Sequence, residues 1–233
     1  MILIIAEKPS LARNICAGIG KMQKKDGYFE GNGYLVSWAL GHLFQLYDIE
    51  DYTENHDAKW SMDNLPFYPE KFKYKLRTKG REHVDDSGVA RQFSIIESLC
   101  NRPDVEKIVN AGDADREGEI IIRLCIMSAL KSEKPLGRLW LPDQTPETVA
   151  KQLAEMKPQS DYDPLADEGF SRTYVDWLYG INLSRYATLK SGALLRVGRV
   201  IIPIVKAIYD RDMSIKNFVP TLYYGIVSKA VTD

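Results

Sequence analysis

The sequence predicts an α/β fold with a parallel sheet, followed by a smaller and mainly helical domain. Two strand-like runs, residues 1–6 and residues 105–109 with Val105, Ile108 and Val109 as their apolar positions, are each followed by a helical pattern of apolar side chains. Runs of this kind are typical of central parallel strands that are buried on both faces. A further helical pattern covers residues 89–100, so helix, strand and helix follow one another, as is usual in α/β domains.

The first apolar run ends at the segment Glu7, Lys8, Pro9 and Ser10. Pro9 is expected to end the strand because proline cannot donate to a sheet ladder, and Ser10 is expected to cap the helix that follows. Glu7 should therefore lie at the carboxyl end of a central strand. Taken alone, Glu7 and Lys8 also fit an ordinary exposed ion pair after a strand.

The second apolar run leads into residues 110–119, whose sequence is NAGDADREGE. Asp113, Asp115 and Glu117 occupy alternate positions on the turn before the next helix, residues 120–130. Ligands of open α/β sheets bind at this end of the strands, and Mg²⁺ prefers oxygen ligands. The spacing therefore predicts a divalent-cation site. The alternative is an acidic turn with Asp115 as the helix cap, which explains one carboxylate and not three.

The two motifs are expected to meet, because the carboxyl ends of neighbouring parallel strands lie at the same edge of a sheet. A carboxylate beside a metal site is able to transfer protons, and an adjacent ammonium group is able to hold a phosphate. Glu7 and Lys8 are therefore candidates for these two roles beside Asp113.

Composition is that of an ordinary globular chain, with 45% hydrophobic and 27% charged residues. The sequence has no run of about 18 apolar residues, and its start lacks the features of a signal peptide. A cytoplasmic protein without a membrane partner is therefore expected. Cys16, Cys100 and Cys125 fall in apolar helical patterns and are expected to be reduced core residues. Because no Cys-x-x-Cys pair occurs, no zinc site is expected.

Charge is segregated along the chain, although the formal net charge is only −1. Residues 131–170 contain 5 basic and 8 acidic side chains, whereas residues 171–233 contain 9 basic and 4 acidic ones. A local basic surface of this kind is sufficient for nucleic-acid binding, because affinity comes from charges close to the phosphates.

Together, AEKPS at residues 6–10 and AGDADREGE at residues 111–119 resemble the two acidic motifs of the toprim domain of type IA DNA topoisomerases. Further segments are similar to blocks of the topoisomerase III branch and occur in the same order: residues 38–43 (WALGHL), 138–140 (RLW), 176–178 (DWL), 180–185 (GINLSR) and 197–200 (VGRV). The resemblance extends over nearly the whole chain, and it therefore does not rest on a single motif.

This resemblance implies a toprim (Rossmann-like) domain over residues 1–155, with an insertion at about residues 43–88. A helical domain that binds single-stranded DNA is expected over residues 156–217, and the first strand of an arch domain over residues 218–233. We expect the remaining domains, with the nucleophilic tyrosine, beyond residue 233. No tyrosine of this chain matches the catalytic motif, so the chain alone is expected to be inactive in cleavage.

The resemblance also implies a reaction in which single DNA strands are broken and rejoined with Mg²⁺ as the cofactor. In it, Glu7 exchanges a proton with the 3′-oxygen and Lys8 pairs with the scissile phosphate. The implied metal ligands are Glu7, Asp113, Asp115 and Glu117.

Single-stranded DNA is the expected partner. The candidate contacts, most of them on matching motif positions, are Lys8, Trp60, Arg172, Asp176, Arg185, Arg196, Gly198 and Arg199. Trp60 is a candidate for stacking on a base, although such a tryptophan more often packs its own loop. Ile201 and Ile202 stand where the family has an amide and a hydroxyl residue, and Arg196 stands where serine is common, so contacts at this turn should differ.

Two other functions remain open from the sequence. A toprim nuclease or primase would use the same carboxylates with water or a nucleotide as the attacking group. A non-catalytic DNA-binding module would use only the basic surface and would not need the carboxylates.

Overall fold

The computed structural model describes residues 1–53, 60–79 and 84–231. The strands in these ranges are β1 (Ile2–Ala6), β2 (Gln23–Lys24), β3 (Tyr28–Gly31), β4 (Tyr34–Trp38), β5 (Phe44–Leu46), β6 (Tyr74–Leu76), β7 (Thr78–Lys79), β8 (Val84–Asp85), β9 (Lys107–Ala111), β10 (Leu136–Arg138) and β11 (Lys157–Pro158). The α-helices are α1 (Pro9–Ile19), α2 (Ser87–Cys100), α3 (Arg116–Ala129), α4 (Pro146–Ala154), α5 (Asp163–Ser191) and α6 (Ile201–Lys216).

One seven-stranded sheet forms the centre of the fold, in the order β11-β10-β9-β1-β4-β3-β2. The four central strands, β10, β9, β1 and β4, run parallel to one another. The outer strands β11, β3 and β2 are antiparallel to their neighbours. The predicted α/β class with a parallel sheet is confirmed, and antiparallel strands extend the sheet on both sides.

The apolar run at the start of the chain is continuous because β1 is buried on both faces. Leu3 and Ile5 belong to one core cluster, which includes side chains from α2 and α3. Ile4 and Ala6 point the opposite way and belong to a second cluster with side chains from α1 and α4. All four side chains are fully buried, so the helices cover the sheet from both sides.

The three cysteines are buried and free, as expected. Burial raises the pKa of the Cys16 thiol to about 11 and that of the Cys100 thiol to about 12. These thiols are therefore protonated at neutral pH, which makes them poor nucleophiles.

The predicted insertion contains two short antiparallel pairs, β5 with β6 and β7 with β8. Its aromatic side chains pack on the first part of α5. Phe72 stacks on Tyr174 with ring centroids 4.1 Å apart, and Trp177 contacts the rings of Tyr52, Phe67 and Phe72. Aromatic pairs of this kind contribute stability beyond that of the area that the rings bury. They therefore hold the insertion on α5.

The chain divides into two compact units. The first unit contains residues 1–60 and 66–178, and the second contains residues 61–65 and 179–233. The predicted boundary after residue 155 lies before this division, because the first half of α5 packs within the first unit. Within the described residues, no helix is long and apolar enough to cross a membrane.

Helical structure dominates the second unit. The long helix α5 ends before Gly192, where the backbone is left-handed (φ 69°), and α6 follows at Ile201. A strand was predicted over residues 218–233, and here the prediction is corrected. The structure assigns no strand to residues 218–231, and the last two residues lie outside the described ranges. A strand needs a paired neighbour, and no described segment pairs with this one.

The predicted helix caps are partly correct. Ser10 is not the cap of α1, because Lys8 occupies that position without a side-chain cap and the helix begins at Pro9. Proline is well tolerated there, since its missing N–H would be unpaired in the first turn anyway. By contrast, Asp115 does cap α3, which begins at Arg116, four residues earlier than the apolar pattern suggested.

Two glycines allow the turn between β9 and α3 to close. A Cβ atom on Gly112 would lie 1.9 Å from the carbonyl oxygen of Gly118, and one on Gly118 would lie 2.4 Å from the backbone nitrogen of Asp113. No side chain fits at either distance, because both obstacles are backbone atoms. The GDADREG sequence therefore owes both glycines to this close approach.

We predict that Gly112→Ala lowers the free energy of unfolding by about 3 kcal/mol, because the backbone must move to admit the methyl group. Gly88→Ala is the matched control, since its new Cβ would meet only the side-chain oxygen of Asp86, at 3.3 Å. Urea unfolding followed by circular dichroism measures both. A loss for Gly112→Ala no larger than for the control would contradict the close approach.

Candidate active site

The structure brings Glu7 together with the acidic loop, residues 112–117. β1 and β9 are neighbours, and Ala6 pairs with Ala111, so both strands end at the same level. The backbone N–H of Asp113 donates a hydrogen bond to Glu7 Oε2 at 3.1 Å. The predicted proximity of the two distant motifs is therefore confirmed.

The aspartates of the acidic loop have different partners. Lys8 Nζ donates to Asp113 Oδ2 at 2.6 Å, so Lys8 is not simply paired with its neighbour Glu7. Asp115 Oδ1 accepts from the N–H of Gly118 at 2.7 Å and caps α3. The capping role that the sequence offered as an alternative is present, and the loop faces Glu7 and Lys8 at the same time.

Two further loop residues contact side chains outside the loop. Glu117 Oε1 lies 3.0 Å from His42 Nε2, and both side chains are about half exposed. Arg116 donates to Glu168 of α5 at 2.7 Å. The acidic loop is thereby connected to the segment after β4 and to α5.

The electrostatic environment favours a proton on Glu7. Partial burial raises the pKa of the Glu7 carboxyl above its ordinary value, and the charges of Asp113 and Asp115 add to this effect. The Asp113 N–H and the Lys8 ammonium act in the opposite direction. Hydrogen bonding to Asp113 raises the pKa of Lys8. A glutamate of this kind is better suited to give and take a proton than an exposed one.

Arg138, the last residue of β10, binds the backbone of the acidic loop. Its guanidinium group donates to the carbonyl oxygens of Gly112 at 2.9 Å, Asp113 at 2.8 Å and Leu139 at 2.9 Å. The residue is 1% exposed. Burial lowers the pKa of Arg138, and the nearby Glu119 opposes that effect, so the guanidinium stays charged. The loop backbone is therefore held by a buried cation.

Glu119 supplies the opposite charge and is fully buried. One of its oxygens lies 2.7 Å from Arg138 Nε, and the other accepts from Arg123 at 2.9 Å and from the amide of Gln159. Arg123 extends the network by donating to Asp163 at 2.6 Å. Burying two charges costs free energy unless each has several partners. Arg138 binds three backbone carbonyl oxygens and Glu119 binds Arg123 and Gln159, while Arg138 Nε and Glu119 Oε2 are in ion-pair contact without hydrogen-bond geometry.

The sequence predictions did not include this network. Arg138 lies in the apolar segment LGRLWL, residues 136–141, and an arginine inside a buried strand is a usable signal, because it needs buried partners. Glu119 and Gln159 gave no such signal, since they are 40 residues apart and only the fold brings them together.

One feature of the loop suits a bound cation. Asp113 Oδ1 is buried without a hydrogen-bond partner, whereas buried polar atoms normally have one. Carboxylate oxygens are preferred ligands of Mg²⁺. Among the described residues, however, no three acidic, histidine or cysteine side chains form a ready-made metal site. The predicted set of four carboxylate ligands therefore stays a prediction.

Two predicted DNA contacts, Arg172 and Asp176, lie on the part of α5 that belongs to the first unit. Arg172 lines a cavity of about 320 Å³ together with Asp115, Arg116 and Glu117 of the acidic loop. Its Nε lies 3.7 Å from Asp176 Oδ2. The arginine is thus close to the loop and also part of a partly exposed ion pair, and its contact with DNA stays a prediction.

Trp60 contacts its own segment. The indole N–H donates to Glu50 Oε1 at 3.0 Å, and the residue is 40% exposed. This hydrogen bond fits a role in ordering the insertion, while the exposed part of the ring leaves base stacking as a prediction.

The second unit carries the remaining predicted DNA contacts, Arg185, Arg196, Gly198 and Arg199. Arg185 is 8% exposed, whereas both arginines of the loop before α6 are exposed. That loop is tied to α5 through Ser184, whose hydroxyl accepts from the N–H of Val197 at 2.8 Å and donates to its carbonyl at 3.2 Å. Ser184 therefore positions the arginine loop, a role that the sequence predictions did not include.

A parallel sheet whose central strands end at a glutamate and at an acidic loop, with helices on both faces, defines an α/β domain of the toprim class. Comparison with family models agrees: the Toprim domain matches residues 2–141, and the DNA topoisomerase family matches residues 160–233. The first match alone covers more than half of the chain. The chain therefore belongs to the family of toprim-containing DNA topoisomerases.

Curated relatives are similar over nearly the whole chain. The sequence is 38% identical over 229 residues to DNA topoisomerase 3 of Bacillus cereus and 36% identical over 224 residues to that of Staphylococcus epidermidis. It is 37% identical over 223 residues to that of Shouchella clausii. These alignments cover 96% to 98% of this chain, which spans about 30% of the length of the relatives.

We predict that Arg138→Met lowers the free energy of unfolding by about 3–5 kcal/mol, because it leaves Glu119 buried with too little positive charge. The double variant Arg138→Met with Glu119→Leu should lose less than the sum of the two single variants, since it removes both charges. Urea unfolding at neutral pH provides these values.

The matched control is Arg116→Met, which removes a partly exposed pair with Glu168. Such pairs contribute less than about 1 kcal/mol. Equal losses for Arg138→Met and Arg116→Met, or strict additivity in the double variant, would contradict a buried network that holds the loop.

We predict that Glu7→Gln stabilises the metal-free protein at neutral pH. Because folding raises the pKa of Glu7, ionised Glu7 opposes folding above that pKa and has no such effect below its ordinary value of 4.5. A glutamine side chain still accepts the hydrogen bond from the Asp113 N–H and carries no charge. Urea unfolding with a chelator should show the gain near pH 7.5 and its loss near pH 4. A pH-independent difference would contradict the raised pKa.

Proposed function

We propose that the chain is the N-terminal portion of a type IA DNA topoisomerase similar to topoisomerase III. That enzyme breaks and rejoins single DNA strands with Mg²⁺, and this portion supplies the acidic metal site and part of the DNA-binding surface. The observation that carries the proposal is the hydrogen bond between Glu7 and the Asp113 backbone, which joins the two motifs at one sheet edge.

Glu7 and Lys8 are the residues that act on the DNA in this proposal. Glu7 gives a proton to the 3′-oxygen when the strand is cut and takes it back when the strand is rejoined, which its raised pKa supports. Lys8 places an ammonium group beside Asp113, where it pairs with the scissile phosphate. Arg138 holds the loop backbone that faces both residues.

Asp113, Asp115, Glu117 and Glu7 would hold Mg²⁺, and the unpartnered Asp113 Oδ1 supports this assignment. A bound Mg²⁺ would neutralise charge on the phosphodiester. Two of these side chains also have partners within the protein: Asp113 accepts from Lys8, and Asp115 caps α3.

The nucleophile is proposed to lie outside this chain. Tyr223 and Tyr224 are 88% and 85% exposed, and their sequence context does not resemble that of the family's catalytic tyrosine. Arg172, Arg196 and Arg199 are proposed to contact the phosphates of a single strand. Their positive charge lies in the basic part of the sequence, which supports this role.

We predict that Asp113→Asn with Asp115→Asn abolishes Mg²⁺ binding measured by calorimetry on the whole chain, because two anionic ligands are lost. The matched control, Asp161→Asn with Asp167→Asn, removes two exposed carboxylates of the same unit and should bind as the wild type does.

Unchanged metal binding in the first variant would contradict the metal site and favour a non-catalytic DNA-binding module. Metal-dependent hydrolysis of an oligonucleotide by the wild-type chain would favour a nuclease. A covalent adduct between the chain and an oligonucleotide would contradict the assignment of the nucleophile.

A further inference from the structure

Basic residues alternate along one extended segment of the insertion. Lys71, Lys73, Lys75, Arg77 and Lys79 occupy every second position, and Phe72, Tyr74, Leu76 and Thr78 lie between them. Part of this segment forms β6 and β7. Side chains two residues apart on an extended backbone point to the same face, about 6.6 Å apart. Residues 73–79 therefore carry a row of cations, and Lys71 precedes this row at a bend.

The three cations at the far end of the row are neutralised by carboxylates. Lys75 forms an ion pair with Asp51. Lys79 Nζ lies 2.9 Å from Asp86, and Arg77 lies 3.7 Å from the same residue. These side chains therefore stabilise the insertion and are not available for an anionic ligand.

Lys71 and Lys73 differ from the other three. Both are exposed, and neither forms an ion pair with any residue that the structure describes. They stand at the rim of a cavity of about 310 Å³, where Glu70 is the one carboxylate among the lining residues. The lining therefore has a net positive charge.

Aromatic rings form the walls of this cavity. Tyr52, Phe67 and Tyr68 line it, and Tyr68 is 68% exposed at its edge. A large exposed ring is the kind of surface on which a base stacks. The cavity thus combines the ammonium groups of Lys71 and Lys73 with aromatic faces.

The walls are held in place by the fold. The backbone N–H of Lys73 donates to the hydroxyl of Tyr52 at 2.9 Å, which links the cation row to the aromatic wall. The rings of Tyr52 and Phe67 have centroids 5.5 Å apart, and both contact Trp177 of α5. The cavity is therefore formed before any ligand binds, which reduces the cost of binding.

We propose that this cavity is a binding site for one nucleotide of single-stranded DNA. The base enters the cavity and stacks on Tyr68, while Lys71 and Lys73 bind the adjacent phosphates. The choice of single-stranded DNA as the ligand rests on the proposed function. The cavity itself shares no lining residue with the acidic loop. A single strand is the fitting ligand, because the base faces of a duplex are covered by stacking.

The test is fluorescence anisotropy of a labelled oligonucleotide with the whole chain at several salt concentrations. Each phosphate contact to a single strand contributes about 0.7 to the slope of log K against log salt. Lys71→Ala with Lys73→Ala should therefore weaken binding and reduce this slope by about 1.4. Tyr68→Ala should weaken binding about 5- to 150-fold, without changing the slope, and Tyr68→Phe should restore it.

The control variant Lys151→Ala with Lys157→Ala removes the same charge from exposed positions of the same unit and should keep the wild-type slope. If the wild-type chain binds but both double variants behave alike, the cavity proposal is wrong while the proposed function stands. If Tyr68→Ala weakens duplex binding as strongly as single-strand binding, the base does not enter the cavity. Failure of the wild-type chain to bind single-stranded DNA would overturn both proposals.

Discussion

The in-register pairing of β1 with β9 is the constraint on which the site depends. Because Ala6 pairs with Ala111, Glu7 and Asp113 leave the sheet at the same level, although 106 residues separate them. The register is well specified, because both faces of β1 are buried and a one-residue slip would exchange its two sets of side chains. The contacts that form the core therefore also determine the geometry of the candidate active site.

A buried ion pair gives the acidic loop its shape. The loop gathers carboxylates and backbone carbonyl oxygens at one point, and Arg138 neutralises part of this negative potential from within the protein. Glu119 supplies the opposite charge for the buried guanidinium, and Arg123 and Gln159 in turn bind Glu119. The network therefore fixes the loop backbone before any ligand binds. The shape of the loop does not depend on contacts between its own carboxylate groups.

The fold class, the principal helices and the meeting of Glu7 with Asp113 could be predicted from the sequence, because local patterns and parallel-sheet topology specify them. The Arg138 network could not be predicted, since its members are distant in sequence and side chains of these types are usually exposed. The predicted cap at Ser10 was wrong because Pro9 already fits the first helical position. The strand expected after residue 217 depends on pairing, which no local pattern supplies.

The most direct measurement of the central claim is paramagnetic broadening of backbone amide NMR signals by Mn²⁺ used in place of Mg²⁺. The account predicts that the signals of Glu7 and Lys8 broaden at the same Mn²⁺ concentration as those of residues 112–117. Broadening of the acidic loop without that of Glu7 and Lys8, or broadening centred elsewhere in the chain, would contradict a single site formed by the two motifs.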